Sequence, residues 1–162
     1  MPTPNDVIVH TLSTALMVLG RFCDDLAPGE MLHRITPKAN CAAWTIGHLV
    51  VSERSALKTF GVPLPELPDP GFEKRFSRDE GCPQASEFGD VTILMPLFRT
   101  HRTALIEAVK RATPEQLDKP LEKPYPVFGT AGQLANFMGF HSIMHAGQIS
   151  QIRRHLGRPP VM

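Results

Sequence analysis

The chain has 162 residues, 42% of them apolar and 20% charged, which is typical of one folded domain spanning residues 1–162. Seventeen basic and sixteen acidic residues give a net charge of +1, so no strong field favours nucleic acid. No apolar run approaches the roughly 18 residues of a membrane helix, and the first residues lack a signal-peptide pattern. Three cysteines without a CxxC pair indicate free thiols in a reducing cytoplasm.

The first predicted helix covers residues 5–26. The apolar stripe that defines it consists of Val7, Leu12, Leu16, Leu19 and Phe22. Pro28 and Gly29 end the helix, because proline and glycine both interrupt helical periodicity. His10 falls between the turns of the stripe, so we interpret it as a surface or boundary histidine.

The second predicted helix covers residues 40–60, with Asn40 as its N-cap. Its core-facing positions are Cys41, Trp44, His48, Val51 and Ser55. Gly47 has no side chain, which would let another helix or a ligand come close to His48. Cys41 lies two turns from His48, roughly 10 Å along the axis, so we interpret it as a small buried apolar residue and not as a fourth ligand.

A long irregular segment, residues 61–89, follows the second helix. Four prolines between Pro63 and Pro70 exclude a continuous helix in its first part. The residues expected to anchor the segment on the helices are Phe72, Phe76 and Phe88. Loops of this length in a compact domain often cover a binding site, so the segment is a candidate cover.

The third predicted helix covers residues 90–112. His101 stands between Arg99 and Arg102, a pattern that predicts a solvated face and makes this histidine a poor ligand candidate. Residues 119–129 are rich in proline and are predicted to be an irregular lead into the last helix.

The fourth predicted helix runs from Thr130, in a capping box with Gln133, to the stop at Gly157. Its core-facing positions are Leu134, Met138, His141, His145, Gln148 and Ile152. Histidines at i and i+4 lie one turn apart on the same face, so both rings can approach one point. Ser142 occupies the position of the glutamate of an HExxH motif, which argues against a metalloprotease.

Four long amphipathic segments and no credible alternating strand predict an all-α protein with a four-helix bundle. Bundles build metal sites from inward side chains on facing helices, which is where His48, His141 and His145 would lie. The alternative is three core histidines that are hydrogen-bonded separately. Each of the three rings would then need its own partner to offset the cost of its burial. We therefore predict a metal ion held by the three imidazoles.

The segments NCAAWTIGHLV and HSIMHAGQISQIRRHLG, with the order and spacing of the helices, resemble the DinB-like (damage-inducible protein) family of four-helix metalloproteins. This family includes YfiT-like and mycothiol-dependent members. The resemblance implies a divalent-metal site at His48, His141 and His145, an up-down-down-up bundle with the long loop between helices two and three, and a homodimer. Gln148, and Trp44 one turn before His48, are expected to line the pocket or to support the ligands.

Three protein nitrogens leave at least one coordination position open, as in catalytic zinc-like sites. Family members known to act use a small thiol such as mycothiol or bacillithiol in transfer or isomerisation. We therefore predict an enzyme in which a thiol cosubstrate attacks a small electrophile held under residues 61–89. The alternatives are a metal-dependent hydrolase of a small substrate and a structural or sensory metal-binding protein.

Several details stay open at this stage. Zinc, nickel and ferrous iron all accept three imidazoles. Arg153 and Arg154 would be able to hold an anionic cosubstrate, although the charge preference of a helix end explains them equally well. Glu53 and Arg54 are expected to point away from the face of His48 and receive no catalytic role.

Overall fold

The computed structural model of the chain describes residues 1–161 and is mostly helical. Its helices are α1 (Pro4–Cys23), α2 (Pro28–Met31), α3 (Ala42–Thr59), α4 (Phe72–Arg75), α5 (Leu94–Arg111), α6 (Pro114–Leu117) and α7 (Ala131–His155). Its strands are β1 (Pro120–Tyr125) and β2 (Phe128–Thr130). Short 3-10 turns at Arg78–Glu80, Ala85–Glu87 and Val91–Ile93 join α4 to α5. The four long helices α1, α3, α5 and α7 are the four that the sequence predicts.

The long helices pack around a shared core. Helix α1 packs on α7 and α5, and α3 packs on the same two helices from the other side. The most deeply buried apolar residues of this core include Leu12, Leu19, Ile46, Leu49, Leu57, Phe98, Leu105 and Ile149. Burial of this apolar surface is the main favourable contribution to folding.

Helix α1 has a mean hydropathy of 1.3 over its most apolar 18-residue window, and one third of that window is buried. Length and composition alone would thus let it cross a membrane, a property the sequence analysis missed because polar residues interrupt its apolar runs. The core helix of a soluble protein and an N-terminal signal sequence both pass the same test of length and hydropathy. Here its buried face, with Ile8 and Leu12, packs on α5 and α7.

Two helix starts differ from the sequence prediction. Thr130 accepts a hydrogen bond from the Gln133 amide at 3.3 Å, but the Gln133 side chain accepts from Gly129 instead of completing the capping box. At the start of α3, Cys41 and not Asn40 is the N-cap, with its Sγ accepting from the Trp44 amide at 3.5 Å. A buried cysteine sulfur replaces the expected amide oxygen because Cys41 lies inside the core while Asn40 is exposed.

The prediction of an irregular lead into the last helix was wrong. Strands β1 and β2 form an antiparallel hairpin in which Pro120 is opposite Thr130 and Tyr125 is opposite Phe128. Only Leu121 of β1 is partly buried, so the strand lacks the alternation of apolar and polar residues that marks a strand in a sequence. Proline is compatible with such an edge ribbon because each strand has only one partner.

The long loop packs on the helices through the predicted aromatic anchors. Phe72, Phe76 and Phe88 are all buried, and the Phe72 and Phe76 ring centroids lie 4.5 Å apart. Phe76 occupies the space left by the absent side chain of Gly47, since a Cβ there would collide with the Phe76 ring. Arg54 donates to the Glu73 carboxylate at 2.8 Å and thereby joins the loop to α3.

The prediction of a solvated face around His101 was also wrong. Both His101 and Arg102 have no exposed surface. Arg102 donates to both carboxylate oxygens of Glu53, at 2.7 and 2.9 Å, and to the Ser142 hydroxyl at 2.7 Å. It also donates to the Leu12 and Met138 carbonyls, so one guanidinium contacts all four long helices. Burial is possible because each of the three guanidinium nitrogens donates to at least one acceptor.

Candidate metal centre

The structure brings the three predicted ligands together. His48 comes from α3, and His141 and His145 come from successive turns of α7. One ring nitrogen from each of these residues lies within 4.8 Å of the other two. The closest pair is Nε2 of His141 and Nε2 of His145, 3.0 Å apart. We call these three residues the histidine cluster.

Contacts on the outer side of the rings decide which nitrogens face the centre. The Nδ1–H of His145 donates to the Gln148 side-chain oxygen at 2.8 Å. The Nδ1–H of His48 donates to the Phe76 carbonyl at 3.3 Å. Because each ring then carries its proton on Nδ1, the Nε2 lone pair is free to bind a cation.

The residues present fit a divalent metal ion. The Nδ1 atom of His141 is buried and has no hydrogen-bond partner among the described residues, while its Nε2 faces His145. The Nε2–H of His141 can donate to the Nε2 of His145, but the buried Nδ1 of His141 then has no donor, and buried polar groups without partners are rare in folded proteins. A cation at the centre of the histidine cluster would satisfy the converging lone pairs, and neutral imidazole is a preferred ligand of zinc, nickel and iron.

Electrostatics keeps the histidine cluster in the neutral form that binds metal. Burial lowers the pKa of His48 and of His145 below the usual value. The pKa of His141 falls to about 3, mainly through burial and further through the neighbouring His145 and His48. Desolvation disfavours the imidazolium ion, so all three rings are uncharged at neutral pH.

The histidine cluster lies on the wall of a cavity of about 960 Å³ between α3, α7 and the hairpin. Its apolar lining residues include Trp44, Leu121, Phe128, Leu134, Phe137 and Met138. Its charged lining residues are Lys58, Arg78, Lys119, Glu122 and Lys123. The hairpin therefore supplies much of the wall, a contribution the sequence analysis missed. Residues 61–89, the predicted cover, contribute one residue to the cavity lining, and that residue is Arg78.

The two supporting residues expected from the sequence occupy different positions. Trp44 lines the cavity and stacks on His48, with ring centroids 4.9 Å apart and the planes 3° from parallel. Gln148 is exposed and lies outside the cavity lining, but it contacts His145 directly. The Phe76 carbonyl accepts the corresponding hydrogen bond from Nδ1 of His48. The sequence did not predict this contact, because a backbone oxygen carries no sequence signal.

Other polar residues considered from the sequence lie elsewhere. Arg153 is buried and paired with Asp25, so its charge is satisfied away from the cavity. Glu53 and Arg54 are absent from the cavity lining, and Glu53 is instead buried in the core against Arg102. Cys41 is the N-cap of α3 and contacts Cys82, as a small buried residue outside the histidine cluster.

The fold and the site define a mostly helical protein with a three-histidine group suited to a metal ion. The family model of the DinB superfamily matches residues 11–149, which include all three histidines. The chain belongs to the DinB superfamily. Comparison with curated proteins gives no significant match.

Proposed function

We propose that the protein is a metal-dependent enzyme that activates a small thiol for transfer or isomerisation. The observation that carries this proposal is the convergence of three neutral imidazoles on the wall of a cavity large enough for a small molecule. A divalent ion held there with an open position would lower the pKa of a bound thiol or water and supply a nucleophile at neutral pH.

The residues of the chain would supply binding and orientation. Gln148 and the Phe76 carbonyl hold the His145 and His48 rings in their tautomers. Trp44 and Phe137 present apolar faces beside the histidines, suited to the carbon skeleton of a substrate. Both residues also exclude water from their side of the cavity, which strengthens electrostatic interactions there.

The charged lining favours a thiol over water as the nucleophile. Glu122 is the only carboxylate that lines the cavity, and it is exposed on β1. Hydrolysis would call for a side chain that moves protons between water and the leaving group. A thiol, with an ordinary pKa of about 8.5, loses its proton far more readily than water and depends less on such a base. Metal-dependent hydrolysis remains the second candidate.

A purely structural or sensory ion is the non-enzymatic alternative. Against it, the core is already joined across all four long helices by Arg102 and by extensive apolar packing. The helices therefore have stabilising contacts that do not involve the histidine cluster. We expect the metal-free protein to fold, whereas small domains with a structural zinc site unfold without it.

The proposed assembly is a cytoplasmic homodimer of single-domain, up-down-down-up bundles. Large apolar side chains are exposed on the adjacent helices α1 and α7, and these are Val7, Met17, Phe140, Ile143 and Met144. An exposed apolar patch on packed helices is suited to a self-association surface. Light scattering on the purified protein tests this assembly.

Metal analysis by plasma mass spectrometry tests the proposed site. Wild type should bind about one zinc, nickel or ferrous ion per chain, and the His48→Ala, His141→Ala, His145→Ala variant should bind none while staying folded. The matched control is His10→Ala, since His10 is exposed on α1. Equal metal content in wild type and triple variant after reloading would refute the site.

Cobalt substitution tests the thiol step. The absorption spectrum of the cobalt-loaded protein should change when a small thiol is added and should not change with the corresponding alcohol. A spectrum that is indifferent to thiols, in a protein that does bind cobalt, would instead favour the structural or sensory alternative.

A further inference from the structure

The cavity concentrates the positive charge of the chain. Lys58, Arg78, Lys119 and Lys123 line it together with one carboxylate, that of Glu122, so the lining carries four positive charges less one, or +3 with neutral histidines. The whole chain carries only +1. The remainder of the protein is therefore slightly acidic, and the cavity is the basic exception. A cleft of one charge sign focuses the field on its ligand.

Three of these four cations have no carboxylate partner among the described residues. No carboxylate lies within ion-pair distance of Arg78, Lys119 or Lys123 among residues 1–161, and Lys58 makes one long contact of 3.7 Å with Glu73. Arginines elsewhere, such as Arg102 and Arg153, are paired closely. Unpaired cations at a cavity can bind an anionic ligand without first breaking an internal ion pair.

The apolar part of the cavity limits what that ligand can be. Its aromatic lining consists of Trp44, Tyr125, Phe128 and Phe137, and Trp44 and Phe137 stack on histidines of the cluster. The cavity thus combines an apolar wall and a basic section, an arrangement suited to a small amphipathic anion.

We propose that the cavity selects a small organic carboxylate, with its apolar or thiol-bearing end beside the histidine cluster and its carboxylate against Lys58, Lys119 and Lys123. The proposal rests on the proposed function in placing substrate in this cavity, and it adds the charge class. The residues proposed to bind the anion are therefore not Arg153 and Arg154, which the sequence offered, but the cations of the cavity lining: Lys58, Arg78, Lys119 and Lys123.

Fluorescence of Trp44, the only tryptophan, reports on the cavity without any metal. Metal-free protein is titrated with 3-phenylpropanoate and with its neutral isostere 3-phenylpropanamide. The carboxylate should bind about tenfold tighter, and added salt should reduce the difference. Equal binding of the two compounds, or no binding of either, overturns the proposal.

A double variant and a matched control locate the contact. Lys119→Ala with Lys123→Ala should bring the carboxylate down to the affinity of the amide, because both lysines line the cavity. Lys110→Ala should leave the difference unchanged, since Lys110 is exposed on α5 and paired with Glu107. An undiminished preference in the double variant overturns the assignment.

The cobalt-loaded protein separates this proposal from the proposed function. 3-Mercaptopropanoate is compared with 3-mercaptopropanamide by the change in the cobalt spectrum. If neither thiol alters the spectrum while Trp44 still prefers the carboxylate probe, thiol activation fails and charge selection stands. If both thiols alter the spectrum equally, thiol activation stands and charge selection fails.

A second and independent feature is a pair of thiols at the start of α3. Sγ of Cys41 lies 3.8 Å from Sγ of Cys82, and the two residues come from segments 41 positions apart. Cys41 is fully buried and Cys82 is half-buried. Arg34 donates to the carbonyls of Cys82 and Pro83, so the loop carrying Cys82 is fastened beside Cys41.

We infer that Cys41 and Cys82 form a reversible disulfide when a peroxide is present. Cys82, the accessible thiol, attacks a peroxide oxygen and becomes a sulfenic acid with release of water. Cys41 then attacks the Cys82 sulfur, loses its proton and displaces a second water. The two thiols lose two hydrogens in total, and the peroxide is reduced to two waters. Burial raises the pKa of the Cys41 thiol to about 12, which leaves the first reaction with the peroxide to the more accessible Cys82.

Peptide mapping of the full-length protein after peroxide treatment tests the pair. A Cys41–Cys82 cross-link should form within one chain and disappear with dithiothreitol, and Cys23→Ser should form it equally well. Cys41→Ser, which keeps a good N-cap side chain, should accumulate oxidised Cys82 without a cross-link. Cross-links to Cys23, cross-links between chains, or Cys82 oxidised without a partner in wild type would each overturn the inference.

Discussion

Two polar groups lie in the same helical core and differ in how completely they are satisfied. The first, which we call the arginine cluster, consists of Arg102, Glu53 and Ser142, and it has no exposed surface. Its guanidinium donates to five acceptors on the other three long helices. The second is the histidine cluster, whose rings open onto a cavity.

The difference separates a stabilising group from a functional one. Every nitrogen of the Arg102 guanidinium donates to an acceptor within the core and none is exposed, so the arginine cluster holds helices together. In the histidine cluster, the outer nitrogens of His48 and His145 are satisfied while the inner ones converge on each other. Full satisfaction of buried polar atoms indicates structure, and converging unused lone pairs beside a cavity indicate binding.

The largest expected effect follows from breaking the arginine cluster. Arg102→Ala should lower the free energy of unfolding by about 3–5 kcal/mol, because it leaves the Glu53 carboxylate buried without its partner. Urea denaturation measures the change. The matched control is Arg99→Ala on the same helix, whose exposed pair with Asp24 should be worth less than about 1 kcal/mol. Similar losses of unfolding free energy in both variants would contradict the difference between the buried and the exposed ion pair.

Acid should weaken the metal-free protein through the histidine cluster. The folded-state pKa values of His141 and His145 are lowered by burial, so below about pH 6.5 the unfolded chain binds more protons than the folded one. The contribution of these histidines to the free energy of unfolding is therefore fully present above pH 6.5. It declines as the pH falls towards the pKa values of the folded state. Each histidine contributes at most about 1.4 kcal/mol per pH unit.

Denaturation curves between pH 7 and pH 4 measure this slope, and a double variant assigns it. His141→Ala with His145→Ala should lose much of the slope. A remainder should persist, because burial also lowers the pKa of His48 and of His101. An unchanged slope in the double variant would show that His141 and His145 do not cause the pH dependence.

Gly47→Ala should disturb the histidine cluster through the loop. A methyl group at this position collides with the Phe76 ring, and the Phe76 carbonyl accepts the His48 Nδ1–H bond. We expect a loss of about 1–3 kcal/mol in stability together with weaker metal binding. Gly147→Ala on α7, where an added methyl group meets nothing, is the control. Unaltered metal affinity in Gly47→Ala would show that the loop does not position His48.

Gln148→Ala should act on the metal alone. The side-chain oxygen of Gln148 accepts the His145 Nδ1–H bond, and Gln148 itself is exposed, so the fold should tolerate its loss. Metal affinity should fall about tenfold to a hundredfold, the usual effect of removing such a partner. Competition with a chelator measures the affinity, and Gln151→Ala, also exposed on α7, serves as the control. Equal affinities would leave Gln148 without a role.

Local periodicity made much of this molecule predictable. The apolar spacing and the helix signals indicated the four long helices, and the loop phenylalanines proved to be its buried anchors. The same spacing placed His48, His141 and His145 on inward faces, where the structure brings their nitrogens together. Helical side-chain direction depends only on positions three and four residues away, so a single chain segment contains that information.

The errors share a physical cause. Arg102 was predicted to be solvated because of its charge, yet its burial depends on Glu53, 49 positions away in the chain. The hairpin read as irregular because its side chains are mostly exposed and leave no alternation to detect. In both cases the partners are distant in sequence or are backbone atoms, and neither leaves a periodic trace.

Residue spacing along the chain predicts the four long helices and the three imidazoles that converge, because both follow from the period of the α-helix. Packing of the folded chain sets three features that this spacing does not contain: the tautomers of His48 and His145, the basic lining of the cavity, and the contact between Cys41 and Cys82. Each of these depends on segments that meet through packing, and such contacts depend on the positions of whole elements and not on residues nearby in the chain.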